Sequence, residues 1–354
     1  MAYGSSAEEQ ETSVLELARD GGEPPHSYVR REEDRPLDAS PPASPIPPVD
    51  LQLLFSSGPS KESEMEKLRS TLDSWGFFQA INHGISSSLL EKVINVGREF
   101  FYLSKEERQK FSKQAYGKDE DGLETIPQNV PKDRILEWND HLYLQVIPEH
   151  ARKIDRWPDN PTSFRNILHE YSMKINDVIH LVLQAMANLV GLEEDYFVRQ
   201  FGNMATVHAR FNYYPPCSRP DLVLGLKSHS DGSGITILLP DPAVDGLEVL
   251  KDNQWVRVCP VRHAILINVG DQIEIMSNGI FKSPVHRAVT NSERERISVV
   301  MFLAAEVDKE IGPADGLVSA GRPRLYKAIK VKDYLDMFLL NSLKGKRSID
   351  FVRV

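Results

Sequence analysis

Apolar residues recur along this 354-residue chain with two different periods, and the change from one to the other divides it. Up to about residue 45 there is no period. The stretch is polar and charged and ends in DASPPASPIPPVDL, whose prolines lack the N–H that a helix requires. It reads as a flexible polar, Pro-rich arm over 1–45. Ile46–Leu54 then reads as a first strand. Glu62–Trp75 has helical spacing, and GFFQAINHG (Gly76–Gly84) is an aromatic and apolar run closed by glycine, which predicts a strand. SSSLLEKVINVGREFFYLSKEERQKF repeats its apolar positions at three and four residues, with Ser86–Ser88 placed to cap a helix. A further helical pattern covers about Asn160–Leu189 and stops at Gly191.

From about Val207 the texture changes to short apolar runs separated by Gly, Pro, Asn and Asp. GITILLP, LEVLKDNQWVRVCP, AILINVGD and RISVVMFLAAE are examples. Their even spacing predicts an antiparallel sandwich or barrel of jelly-roll type. A helix near Lys332–Leu343 closes the chain. The expected fold class is mainly β with flanking helices. It has a mostly helical support region over 46–200, a jelly-roll core over 201–310 and a closing strand and helix over 311–354.

Composition narrows the class without choosing a function. The net charge of −9 argues against a general nucleic-acid binder. Two cysteines, Cys217 and Cys259, have no acid or histidine placed to activate them and supply no disulfide framework, so they read as inert packing in a reducing compartment. The longest apolar runs, such as VIHLVLQAMANLV (Val178–Val190), are too short and too polar for a membrane span. MAYGSSAEEQETS lacks the basic and apolar regions of a secretory signal. A cytoplasmic monomer without nucleic-acid or membrane partners is the expectation.

The chemistry concentrates in LKSHSDGSGITILL (Leu226–Leu239). Residues two apart on a strand face the same side, so His229 and Asp231 are expected to point into one cavity while Ser230 turns away. His286 in SPVHRAVT supplies a second imidazole. Two histidines and one carboxylate form the facial triad of non-haem Fe(II) sites, with open positions left on the metal; on ligand type alone a zinc hydrolase stays open. RERISVVMF then places Arg296 and Ser298 two apart on a strand, a guanidinium and a hydroxyl suited to grip a carboxylate. RFNYYPP puts Asn212 and Tyr214 on one strand face, with the phenol able to reach that carboxylate. A metal with open positions beside an anchored carboxylate calls for an acidic co-substrate that chelates the metal with its other end.

NYYPPC, HSD, SPVHR and RERIS, in this order and spacing, resemble the plant 2-oxoglutarate/Fe(II)-dependent dioxygenases. WGFFQAINHG, GLEVLKDNQW, INVGD and EIMSNGIFKSPVHR extend the likeness over about residues 46–330. The chain groups with the branch holding alkaloid O-demethylases, triketone-herbicide hydroxylases and melatonin hydroxylases. The resemblance implies a double-stranded β-helix whose 201–310 region is the Fe(II)/2-oxoglutarate catalytic core. It implies iron on His229, Asp231 and His286. It also implies 2-oxoglutarate held by Arg296 and Ser298 with Tyr214 and Asn212, O2 as oxidant, and ascorbate in support. The implied reaction turns 2-oxoglutarate into succinate and CO2 while a small hydrophobic, aromatic molecule is hydroxylated, or O-demethylated by way of hydroxylation. An indoleamine resembling melatonin, or another plant specialised metabolite, is the implied substrate.

The segment matching LEWNDHLYL lines the substrate pocket in that family, so His141 and Tyr143 are candidate substrate residues. Phe302, four residues after Ser298 on the same face, is a third. His83 reads as structural, His208 and His263 as ordinary strand-edge histidines, and Phe211 as core. After LSKEERQKF the family carries a Gly-Tyr-Gly segment, where this chain keeps Tyr116 and Gly117 but follows them with an acidic loop. Two other readings share the iron site or its fold: an iron/ascorbate oxidase that does not use 2-oxoglutarate, and a catalytically inactive ligand-binding sensor.

Overall fold

Ser86 opens a helix as its sequence predicts, its hydroxyl accepting the Leu89 N–H. In the computed structural model, residues 13–36, 41, 46–112, 121–124, 135–343 and 347–354 are described. The helices are α1 (Val14–Arg19), α2 (Leu51–Leu54), α3 (Pro59–Trp75), α4 (Ser87–Tyr102), α5 (Lys105–Gln109), α6 (Phe164–Leu189), α7 (Tyr196–Phe201), α8 (Asp271–Met276) and α9 (Val331–Leu343). On α4, Leu89, Val93, Val96 and Phe100 recur at helical spacing and are all buried, packing the helix against α6 and the large sheet. Each such side chain contributes about 1.5–3 kcal/mol by leaving water.

The strands are β1 (Val49–Asp50), β2 (Phe77–Ile81), β3 (Gly122–Glu124), β4 (Asp140–Ile147), β5 (Thr206–Tyr214), β6 (Leu226–His229), β7 (Ile235–Leu239), β8 (Leu247–Lys251), β9 (Gln254–Arg257), β10 (Ile265–Val269), β11 (His286–Ala288), β12 (Arg296–Ala304), β13 (Glu310–Ile311) and β14 (Ile329–Lys330). Eight of them form one sheet in the order β1-β2-β10-β7-β12-β5-β4-β3, and β6-β11-β8-β9 form a second. This is the double-stranded β-helix expected from the sequence, supported on one side by helices.

The large sheet sorts its side chains by strand alternation. Val207, Ala209, Phe211 and Tyr213 of β5 and Ile297, Val299, Met301 and Leu303 of β12 join the helical core. Their neighbours His208, Arg210, Asn212 and Tyr214, and Arg296, Ser298, Val300 and Phe302, face the other way. Pairing puts Arg296 opposite Tyr214, Ser298 opposite Asn212, Val300 opposite Arg210 and Phe302 opposite His208. One wall of the barrel interior is thereby fixed by register alone.

Three expectations are corrected. The arm over 1–45 is not loose where it is described: α1 and the turns after it pack on the body, with Val14, Leu15 and Tyr28 buried. The N–H groups of Val14 and Leu15 donate to the two carboxylate oxygens of Asp140, and Tyr28 meets Trp138 edge to face. Ile46–Leu54 is not one strand. It is the two-residue β1 followed by α2, because Asp50 accepts the N–H groups of Gln52 and Leu53 and starts a helix there. The 46–200 region also contributes β1 to β4 to the large sheet, and one continuous core runs from Leu15 to Val352, so packing draws no boundary at residue 200. Tyr116 and Gly117 lie outside the described residues.

Candidate active site

His229 ends β6, and its antiparallel neighbour across the ladder is His286 at the start of β11. The two rings lie 4.3 Å apart between centroids. Asp231 lies just past the end of β6 rather than on it, so the pleat argument reaches only as far as His229. The loop nonetheless turns the carboxylate back: Asp231 Oδ1 is 3.4 Å from His229 Nε2 and 3.7 Å from His286 Nε2. A ligand atom from each of the three residues lies within 4.8 Å of the others.

The hydrogen bonds around this cluster leave the atoms that face one another available. His229 Nδ1–H donates to the Lys227 carbonyl at 2.8 Å, and His286 Nδ1–H donates to the Pro284 carbonyl at 3.1 Å. Each ring is therefore held in the tautomer whose Nε2 lone pair points inward. Asp231 Oδ2 accepts from Thr236 Oγ1 and Asn268 Nδ2, each at 2.7 Å, which pins the carboxylate and turns Oδ1 toward the imidazoles. Burial alone would raise the Asp231 carboxyl, but the His286 and His229 rings and the Asn268 amide hold it well below the usual carboxylate range. Burial opposes charge on both histidines. For His229 the contact with Asp231 outweighs it and the pKa is raised, whereas for His286 burial and the neighbouring His229 leave it lowered. The donor set of two imidazoles and one ionised carboxylate fits a divalent cation, and Fe(II) in particular.

A cavity continuous with solvent rises from this cluster. Along its wall lie Arg296 and Ser298, then Asn212 and Tyr214, all buried. The Arg296 guanidinium lies 5.0 Å over the Tyr214 ring, and Asn212 Nδ2 donates to Ser298 Oγ at 3.4 Å. Two polar atoms here have no hydrogen-bond partner among the described residues: Arg296 Nε and Asn212 Oδ1. A buried guanidinium nitrogen without an acceptor is costly, and a ligand carboxylate laid against it would remove the deficit. Gly246 belongs to this arrangement, since a Cβ there would stand 2.8 Å from Arg296 Cδ.

Another part of the wall is apolar and aromatic. Phe302, Leu247, Val249 and Phe77 line it. Of the three substrate candidates, Phe302 lines the cavity directly, while Tyr143 and His141 share its wall through β4, opposite Arg210 and Asn212. Tyr143 stacks flat on His208, with centroids 4.9 Å apart and planes 10° apart. Two residues on this face of β5 carry more than the sequence reading gave them. His208 is no ordinary edge histidine: burial, and secondarily the Lys153 charge, pull its pKa down to about 4, so it stays neutral. Arg210 lines the cavity and donates to His141 Nδ1 at 3.2 Å, and its Nε has no partner among the described residues. Both follow from counting back by twos from Asn212.

His83, by contrast, is structural as expected. It accepts the Ile85 N–H on Nδ1 and donates from Nε2 to the His263 carbonyl, and His263 reaches Glu91 outside the barrel. Phe211 is core. Cys217 and Cys259 are free thiols. Among the described residues no helix is long and apolar enough to cross a membrane.

Comparison with known proteins agrees with this geometry. Residues 206–305 match the 2OG-Fe(II) oxygenase superfamily, and residues 46–160 match the N-terminal region of non-haem dioxygenases in morphine synthesis. Jasmonate-induced oxygenase 4 of Arabidopsis thaliana is 35% identical over 92% of this chain and 92% of its own length. Codeine O-demethylase of Papaver somniferum is 37% identical over 87% of this chain and 85% of its own. The crystal structure of JOX2 in complex with 2OG, Fe and JA superposes with a TM-score of 0.82 at 34% identity, covering 92% of each chain.

Proposed function

Because the chain belongs to the 2OG-Fe(II) oxygenase superfamily, whose members use Fe(II), 2-oxoglutarate and O2, we propose that His229, Asp231 and His286 hold the iron and that Arg296 and Ser298 hold the distal carboxylate of 2-oxoglutarate. In this reading Tyr214 and Asn212 complete the co-substrate site. The observation that carries it is the pairing of a three-ligand cluster at one end of the cavity with a buried, partner-short guanidinium on its wall. The bound iron supplies O2 activation coupled to conversion of 2-oxoglutarate to succinate and CO2. The protein's own work is to orient both acids and to keep the oxidised carbon close and dry.

The substrate is a small hydrophobic, aromatic molecule, such as an indoleamine or another plant specialised metabolite, set against Phe302, Tyr143 and His141. One oxygen atom is inserted at a C–H bond. Where that carbon is an O-methyl group, the hydroxymethyl ether breaks down to formaldehyde and an alcohol. Arg210 favours a second reading, in which the substrate carries a carboxylate. The Lys227, Arg210 and Arg30 charges together hold the Glu137 carboxyl low against its burial. The JOX2 complex with JA and the codeine and flavonoid O-demethylases stand on the two sides of this choice. The enzyme is read as a cytoplasmic monomer.

The test is aerobic turnover of Fe(II)-loaded protein with 2-oxoglutarate and ascorbate, following succinate and product mass. The panel holds indoleamines, flavonoids, methoxylated alkaloids and triketones, and aryl and alkyl carboxylic acids beside their methyl esters. A product one oxygen heavier, or one methylene lighter, with matching succinate supports the reading and names the class. Acids that turn over while their esters do not select the Arg210 alternative. No succinate from protein shown to hold iron would overturn the 2-oxoglutarate assignment in favour of the oxidase or sensor readings.

A further inference from the structure

Asp231 sits in the loop between β6 and β7, and that loop is strapped from outside the cavity. The start of α8 supplies the backbone straps: Asp271 N–H donates to Asp231 O at 2.8 Å, Gln272 N–H to Ser233 O at 3.1 Å and Gly270 N–H to Gly234 O at 2.7 Å. Gln272 Nε2 adds a fourth to Gly232 O at 2.9 Å. The Asp271 side chain, fully buried, points elsewhere. Its Oδ2 accepts from Ser230 Oγ within the ligand loop at 3.3 Å and from Tyr334 Oη on α9 at 2.6 Å. A turn further along α9, the Phe338 ring lies where a Cβ on Gly232 would stand, 2.8 Å away. The C-terminal helix therefore reaches the ligand loop in two ways, indirectly through Asp271, which Ser230 also bonds, and directly through the close approach of Phe338 to Gly232.

We infer that Tyr334 is a positioning residue for the metal site, acting through Asp271 on the loop that carries Asp231. The inference rests on the reading of His229, Asp231 and His286 as the ligand set. Thr236 and Asn268 already fix the rotation of the Asp231 carboxylate, so the freedom left to it is displacement of its backbone. That displacement is what Asp271 opposes from one side and Phe338 from the other. Ser230 and Tyr334 supply the hydrogen bonds that Oδ2 accepts, Ser283 and the Arg347 charge also favour the carboxylate, and Oδ1 has no hydrogen-bond partner among the described residues. Without the Tyr334 hydroxyl, a buried carboxylate must find a new donor, and it carries the Asp271 N–H, and with it Asp231, as it moves. The same path runs in reverse. Any shift of α9 reaches the ligand loop.

The experiment compares wild type, Tyr334→Phe, Asp271→Asn and the double variant, with His286→Ala as control. It reads the melting temperature of metal-free protein, the dissociation constant for Co(II) added to metal-free protein, and the ratio of succinate to oxidised product. Tyr334→Phe should stay folded but melt somewhat below wild type, bind Co(II) roughly tenfold more weakly, as loss of outer partners of a metal site does, and release succinate in excess of product. The double variant should bind no more weakly than Asp271→Asn alone, because both changes act on one path. Unchanged Co(II) binding with matched succinate and product in Tyr334→Phe would overturn the inference, and so would additive losses in the double variant. If Tyr334→Phe does not fold, Ser230→Ala removes the donor to Asp271 that comes from the ligand loop, and unchanged Co(II) binding there overturns the inference equally. Wild type that binds Co(II) no better than His286→Ala would instead refute the ligand set itself, a different failure from that of Tyr334.

Discussion

Replacing Arg296 by glutamine separates the two ends of the cavity. The guanidinium is 4% exposed, lies over the Tyr214 ring, and keeps Nε without an acceptor among the described residues. Against a carboxylate it would make two charge-assisted hydrogen bonds, each worth about 1.5–3 kcal/mol. Glutamine returns one neutral donor, and the Ser298 hydroxyl and Tyr214 phenol stay. The net loss is then about 2–4 kcal/mol, or roughly 30- to 700-fold in affinity at about 1.4 kcal/mol per tenfold. The assay is succinate formation against 2-oxoglutarate concentration at saturating substrate. KM for 2-oxoglutarate should rise by that factor while kcat at saturating 2-oxoglutarate and KM for the substrate stay near wild type, because the chelating end of the oxoacid touches none of these groups. Metal-free protein should not be destabilised, since the variant removes a buried charge that lacks a full complement of acceptors. A KM for 2-oxoglutarate that does not move, with the substrate KM rising in its place, would refute the reasoning and turn the wall around.

Three further outcomes follow from the same geometry. Gly246→Ala should raise KM for 2-oxoglutarate without touching substrate KM, because the new Cβ at 2.8 Å pushes Arg296 Cδ off its line; steady-state kinetics on both ligands check it. Asn268→Ala removes one of the two donors to Asp231 Oδ2 and should weaken Co(II) binding by about 10- to 100-fold, read by titration of metal-free protein. His208 gives a pH signature. Its folded pKa of about 4 lies below the ordinary 6.5, so the unfolded chain binds its proton first, and stability is lost as pH falls from the ordinary value toward the folded one. His208→Gln should therefore flatten the decline in melting temperature over that window, and an unaltered decline would show that the ring is not held neutral.

Legibility of the fold followed the range of the interactions that build it. The spacing that predicts α3, α4, α6 and α9 is local, since each helix declares its buried face within its own residues. The arm was misread because what orders it is remote. Val14 and Leu15 are two apolar residues in a polar stretch, and the carboxylate that receives their N–H groups belongs to Asp140, 126 and 125 residues away. The β4 strand shows the same limit. Its burial alternates perfectly from Asp140 to Ile147, but the partner that makes it a sheet member is β5, beyond the whole of α6. Ile46–Leu54 failed for a local reason, since Asp50 is a capping residue and apolar neighbours do not make a strand past a cap.

In the site, alternation was a better guide on β5 and β12 than at the metal cluster. Arg296 and Ser298, with Asn212 and Tyr214, face one way because both strands are regular across them. Asp231 reaches His229 by a different route: β6 has already ended, and the carboxylate is turned inward by Thr236 on β7 and Asn268 on β10, whose side chains point into the barrel for the same reason of pleat. The short spacing of His229 and Asp231 thus marks a loop that two other strands aim. Carrying the β5 count two more steps, from Asn212 to Arg210 to His208, reaches one residue absent from the sequence reading and one taken there for an ordinary strand-edge histidine. Those side chains take their meaning from His141 and Tyr143 on β4, a strand whose place in the sheet the sequence did not reveal. The half of the cavity proposed for iron and 2-oxoglutarate is written in motifs carried on the core strands, whereas the half proposed for substrate is assembled across β4, β5 and β12. A change of substrate can therefore be made on β4 without disturbing any residue proposed to hold the metal or the oxoacid.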